Sequence, residues 1–303
     1  LGTEESLNSL TPEDLDTYFN NRYGPGNYVL VVAGDINHDR VEHEIRETFG
    51  LLPERKVAGS YSPEEPLQKE VRYQELRRQV GQVYWMCGFH SPEFLKKENA
   101  ALELLAIILG RGFNSRLNLK VREEWGLVDE IHAHASDFDE NTFFNVFMKT
   151  DTKRLLEAEK AIMTEVFTLV NQYVTQAELL RARSIFQNDI LFLHDDLRQE
   201  VGFKSIVETR RRSFLESDTY LEEILALNSR DILKTAEEYI RPDNISICTI
   251  IPETSDFKER HAEDLVPVIK EAVKNAKERT YQPDETVLLE GRTLTLLFPA
   301  GKP

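Results

Sequence analysis

Two histidines, His38 and His43, flank Glu42 in the string HDRVEH, and two more, His132 and His134, alternate in IHAHA. Imidazoles and carboxylates are the ligands of a hydrolytic zinc, and on a helix the two imidazoles must stand one turn apart, at i and i+4. His38 and His43 are separated by five positions, which turns one about 140° away from the other. That string therefore reads as surface histidines at a helix start. His132 and His134 share one face of a strand, but no carboxylate or third histidine stands out to complete a site. His90, His194 and His261 stand alone. Cys87 and Cys248 lie in apolar runs, VYWMCGF and ISICTII, with no Cys-x-x-Cys spacing, and read as buried free thiols. No catalytic residue, metal ligand or cofactor is expected within these positions.

The elements that would have to carry any such chemistry are repeated. Leu10–Gly34 and Leu227–Ile251 align without a gap, every pair separated by 217 positions, as Asn27 is from Asn244 and Pro25 from Pro242. Each copy has a polar cap, an amphipathic helix, a proline turn with asparagine and a β-rich apolar run. So long a period is a domain duplication. Copy two has residues 71–226 ahead of its helix, whereas copy one has residues 1–9, so the first unit is expected to be incomplete. The predicted order in copy one is a helix from Thr11, a buried strand Tyr28–Ala33, then a helix from Asp35–Asn37 to Phe49 closed by Gly50. In the second unit we expect strands at 71–76 and 82–89 and a helix over 97–109. A shorter helix at 115–125 leads to a hairpin of 130–135 and 143–149 turning through 137–141. Helices at 152–173 and 175–214 follow, the latter broken once. The fold class is α+β, duplicated two-layer sandwich units with a mostly antiparallel sheet packed on helices. The units divide as 1–56, the rear of the first; 57–70, a linker; 71–253, a complete second unit; and 254–303, a helical then extended exit linker.

Composition excludes some classes. A net charge of −16 over 303 residues argues against a nucleic-acid partner, which needs basic stripes. No apolar run reaches the length of a membrane-spanning helix. The acidic balance would steer basic peptides inward if the acids lined a cavity.

Residues 109–129, LGRGFNSRLNLKVREEWGLVD, carry the densest motif. Gly110 and Gly112 let one helix end and the chain turn, Ser115 caps the next helix, Arg116 and Arg122 ride on it, and Gly126 closes it. This segment resembles the pitrilysin/insulinase family of zinc metallopeptidases, which includes mitochondrial processing peptidase-like proteins. The matches are Gly110, Gly112, Ser115, Arg116, Leu117, Arg122, Glu123, Gly126 and Leu127, and Tyr23, Pro25, Asn27, Gly34 and Asp35 in the duplicated element. The resemblance covers about residues 1–253 and implies four homologous α+β units in two halves around a closed chamber. It places zinc in the first unit, on an inverted His-x-x-Glu-His helix motif plus a distant Glu, with the motif Glu as general base. That motif is absent here, so zinc is expected in a segment this chain lacks. The resemblance also implies an Arg followed seven residues later by a Tyr that contact substrate. Arg122 fits the first position, but the second is Asp129, which cannot donate a phenolic hydrogen bond. Arg122 and Arg116 remain as candidate substrate-binding residues, while Gly110, Gly112, Ser115, Gly126, Pro25, Asn27, Pro242 and Asn244 are structural positions of the motif. The function implied is a noncatalytic portion, chamber wall and substrate-enclosing unit, of a peptide-degrading or peptide-processing zinc metallopeptidase. Its partners would be the remainder of the same peptidase or a homologous half, and peptide substrates. The alternative is a noncatalytic scaffold or peptide-binding subunit of a two-chain assembly.

Overall fold

A computed structural model describes residues 2–54, 66–91, 97–136, 142–211, 213 and 217–279. The expected turn at 137–141, much of the 57–70 linker and the extended tail fall outside the described residues. Five strands form one sheet: β1 (Arg72–Arg78), β2 (Val83–His90), β3 (Glu130–Ala135), β4 (Phe143–Thr150) and β5 (Ile245–Pro252), in the order β1-β5-β2-β4-β3. β1 and β5 run parallel and every other pair is antiparallel. Strand alternation sends Val83, Trp85, Cys87 and Phe89 of β2 to one face, where helices bury them. That layer includes α4 (Lys97–Gly110), α5 (Leu155–Thr168) and α9 (Ser229–Tyr239). Leu102, Leu105 and Ile108 of α4 are fully buried, as their helical spacing requires. Trp85 donates through Nε1 to Glu159 of α5 at 2.7 Å, and Arg260 holds the other carboxylate oxygen at 2.6 Å, so this buried anion is paired.

The long helical stretch is broken once, at Asp196, between α6 (Gln176–Asp195) and α7 (Leu197–Arg211); α8 (Ser217–Ala226) precedes α9. The stretch read as an exit linker contains α10 (Ala262–Glu278), which packs along α5 and buries Leu265, Ile269, Ala272 and Ala276. Residues three and four apart make that buried stripe.

The duplication holds atom by atom in its helix and turn. α2 (Pro12–Arg22) and α9 begin at Thr11 and Asn228, each closing a capping box with an aspartate three residues on, Asp14 or Asp231. Each helix ends in a proline-led 3₁₀ turn, Pro25–Asn27 or Pro242–Asn244. The asparagine side chain then donates back to the carbonyl five residues earlier: Asn27 to Arg22 at 2.8 Å, Asn244 to Tyr239 at 2.7 Å. Asn244 also donates to the His90 carbonyl at 2.9 Å.

The copies part at the next element. β5 lies between β1 and β2, whereas residues 28–33 are extended without a ladder, so the strand expected at Tyr28–Ala33 does not form. Burial follows. Ile232, Ala236 and Ile240 are buried, while their counterparts Leu15, Phe19 and Tyr23 are 61 %, 54 % and 56 % exposed. A strand needs neighbours for its N–H and C=O groups, and an apolar helix face needs a sheet to lie on. Val29–Ala33 faces Glu200, Val201, Lys204 and Glu208 of α7 across a cavity of about 460 Å³ instead. The helix expected after it is α3 (His38–Thr48), capped by Asn37, and a 3₁₀ turn through Gly50 follows in place of a glycine cap; the short α1 (Glu4–Asn8) opens the chain.

This asymmetry has a measurable consequence. Asn244→Ala strips a buried donor from two carbonyls and should cost about 1–3 kcal/mol. Asn27→Ala, on the exposed copy, should change stability by less than about 0.5 kcal/mol. Urea unfolding of both variants tests the contrast, and equal losses would show that the exposed copy is as tightly integrated as the buried one.

Candidate functional site

The segment 109–129 joins α4 to β3 and is built on close contacts. A Cβ placed on Gly110 would lie 2.3 Å from the Ala133 amide nitrogen and 2.7 Å from the Ala133 Cβ. Gly110 is thus the point where α4 touches β3, and steric access is its reason to be glycine. Gly112 and Gly126 meet the turn expectation, with φ of 81° and 62°. Buried Ser115 donates to the Gly112 carbonyl at 2.8 Å and accepts from Asn118 Nδ2 at 2.9 Å. The short helix expected at 115–125 is a π-helix over Asn118–Glu124, closed by Trp125 N–H on the Lys120 carbonyl at 3.0 Å.

Arg116 points inward. Its Nε and Nη2 grip Glu178 at 2.6 and 3.0 Å, a two-pronged contact in which the arginine side chain is 2 % exposed. It fastens the loop to α6 and presents no charge to a ligand at the surface. Lys120 is paired with buried Glu165 of α5 at 3.2 Å, and Arg279 holds the same Glu165 oxygen. Arg122 stays partly exposed, 3.8 Å from Glu123. Asp129 is occupied: it accepts from Gln82 at 2.5 Å and from Arg154 Nη2 at 3.3 Å, while Arg154 Nη1 donates to the Gly126 carbonyl at 2.7 Å. The motif residues thus brace the loop, and of the two candidate arginines it is Arg122 whose guanidinium stays within reach of solvent.

The sheet face away from the helices is open. Cross-strand register assembles two rows on it, Gln74–Cys248–Met86–Phe147–His132 and Leu76–Ile250–Tyr84–Lys149–Glu130. Met86 is 41 % exposed. The His132 ring stacks on Phe147 at 6.3 Å and its Nε2 meets Glu130 at 2.8 Å. Lys149 Nζ sits over the Tyr84 ring at 5.8 Å. Cys248 is only partly buried because it lies on this face, whereas Cys87 is inside and burial pushes its thiol up to about 12.

The model of the peptidase M16 inactive domain matches residues 9–186, more than half of the chain. This protein belongs to the peptidase M16 family. It is 25 % identical over 243 residues to an "uncharacterized zinc protease" of Rickettsia felis, covering 78 % of this chain and 57 % of that protein. Its fold superposes on a protease from Helicobacter pylori with a TM-score of 0.75 at 20 % identity, over 83 % of this chain and 62 % of that one. It superposes equally, at 18 % identity, on a peptidase M16 inactive domain from Pseudomonas fluorescens, over 85 % of this chain and 61 % of that one. The chain spans less than two thirds of the length of the curated relatives it matches.

The matching model is that of the family's inactive domain, and it covers residues 9–186. Among the described residues no group of three or more His, Cys, Asp or Glu is placed to hold a metal, so the donors described do not fit a zinc ion. His38 and His43 ride on α3 five residues apart, and among the described residues no third donor joins the His132–Glu130 contact. No described helix is long and apolar enough to cross a membrane. The open face of this M16 sheet lies outside the sequence motifs. Its signal lay in β2, where VYWMCGFH is apolar on both alternating faces although only one meets helices.

Proposed function

We propose that this chain forms part of the wall of a peptide-enclosing chamber in a zinc-dependent M16 metallopeptidase, with the zinc on another unit of the assembly. The observation that carries the reading is the unequal burial of the two copies. Leu15, Phe19 and Tyr23 expose an apolar surface whose counterpart, in the same chain, is buried in the core on a helix packed against α4. A contiguous apolar surface of this kind marks an interaction site. A homologous unit bearing the zinc motif would cover it as the second unit covers α9. The open sheet face, with its reachable aromatic and Met side chains, would then look into the space between halves.

The purified 303-residue chain should hold no stoichiometric zinc by elemental analysis and should not cleave a quenched fluorescent peptide. Adding a polypeptide that supplies the His-x-x-Glu-His unit and the second half should produce both zinc loading and chelator-sensitive hydrolysis. Stoichiometric zinc and chelator-sensitive cleavage by the chain alone would overturn the reading. Leu15→Asp with Phe19→Asp should abolish the gain while leaving the melting of the second unit unchanged.

A further inference from the structure

The open sheet face is charged against the rest of the molecule. The chain carries −16, yet the strand residues on this face include Arg72, Arg78 and Lys149 and, as acid, Glu130 alone. Glu130 lies at the β3 edge, engaged with His132. Between the cations run Tyr84, Met86 and Phe147, half-exposed to exposed, with Tyr84 and Phe147 rings 6.3 Å apart. Two further acids stand at the strand ends: Asp129 beside Lys149, held by Gln82 and Arg154, and Glu253 beside Arg78. At physiological ionic strength, charges more than about 8 Å away are largely screened, so the local residues decide what this face accepts.

We propose that this face binds extended peptide segments with an aromatic or aliphatic centre and an acidic residue at each end, and not the basic segments that the net charge of the chain would favour. The inference rests on the reading that the chain encloses peptides and names which peptides its wall takes. Spacing supports it. Arg78 on β1 and Lys149 on β4 stand three strands and one register row apart, about 16 Å at normal strand separation and rise. An extended chain covers that span in about five residues. Two carboxylates five positions apart would reach both cations, and the side chains between them would cross Ile250 and Tyr84, with Met86 and Phe147 one register row to the side. Aromatic–aromatic and sulfur–aromatic contacts would then add to burial.

The test uses the full chain and two fluorescein-labelled peptides, Gly-Glu-Leu-Phe-Thr-Phe-Glu-Gly and the same peptide with both Glu replaced by Lys. Fluorescence anisotropy should give a Kd about tenfold lower for the glutamate peptide at about 0.05 M salt, with the difference shrinking at about 0.5 M. Arg78→Glu with Lys149→Glu should reverse the preference, and Met86→Ser should weaken both peptides. If the double reversal does not fold by circular dichroism, Lys149→Gln alone should still halve the preference or more. Equal or tighter binding of the lysine peptide, a preference untouched by these substitutions, or binding of neither peptide would overturn the inference. Restored hydrolysis in the reconstituted assembly remains a separate readout, so a failed wall chemistry and a failed chamber reading give different results.

Discussion

Replacing Gly110 with alanine should unfold the second unit or leave it too unstable to purify. The added Cβ would lie 2.3 Å from the Ala133 amide nitrogen and 2.9 Å from the His132 carbonyl carbon. Both are backbone atoms of β3, a strand hydrogen-bonded to β4 along its whole length. No rotamer relieves such a contact, so α4 must move away from the sheet. α4 carries Leu102, Leu104, Leu105 and Ile108, all fully buried, and any shift opens voids beside them. Overpacking of a close-packed core costs about 1–3 kcal/mol, more where backbone must yield. We expect about 3 kcal/mol or more, a large share of the stability of a domain. Adding Ala133→Gly removes only the Cβ contact, so the double variant should stay destabilised. Thermal melts decide this: a Gly110→Ala protein that melts with the parent, or full rescue by Ala133→Gly, would show that the approach of α4 to β3 is looser than described.

Gly110 also shows how much of this molecule was legible in its residues. Helix boundaries and strand positions in the second unit follow from periodicity and caps, and the sheet was anticipated as mostly antiparallel. A glycine at a helix end reads as a turn signal, because local rules see φ and not a strand from 23 positions away. The π-helix was equally hidden: NLKVREE is ordinary helical composition, and its tie to α5 through Lys120 and Glu165 joins residues 45 positions apart. Tyr28–Ala33 has every property of a buried strand except neighbours, and neighbours are not encoded in a segment's own composition. Side-chain placement in the candidate site was not legible either. Arg116 and Arg122 look alike in sequence, but Glu178, 62 positions on, takes Arg116 inside and leaves Arg122 out. The open sheet face depends on register, which fixes Met86 beside Phe147 and Cys248.

The charge balance illustrates the same limit. A total of −16 pointed toward basic peptides, but a total has no location. Much of the negative charge lies on exposed helices, among them Glu42 and Glu44 of α3, each in an i,i+4 pair with an arginine. Such pairs contribute little to stability and say nothing about a distant sheet face.

Breaking the Arg116–Glu178 pair should cost about as much as the glycine substitution, by a different route. Arg116→Ala leaves the Glu178 carboxylate mostly buried without its cation, a change worth about 3–5 kcal/mol in comparable buried pairs. Glu178 also closes the capping box of α6, accepting from the Thr175 amide at 2.9 Å and the Thr175 hydroxyl at 3.0 Å, so its charge state bears on the helix start as well. Burial pushes the Glu178 carboxyl up, but the hydrogen bonds and charge of Arg116, joined by Thr175, outweigh it and hold the group below the ordinary 4.5. A depressed acid contributes stability above its unfolded value and loses it as pH falls through its folded value. The parent should therefore weaken as pH drops below about 4.5. In Arg116→Ala, burial acts unopposed and Glu178 takes up a proton more readily. The gap between parent and variant should be widest near neutrality and narrow in acid. Arg116→Met combined with Glu178→Gln removes both charges and should recover part of the loss, because the cost lies in the stranded anion. Urea unfolding at pH 7 and pH 4 measures all three proteins. A gap that stays constant with pH, or a double variant no more stable than Arg116→Ala, would show that the guanidinium acts by packing and not by charge.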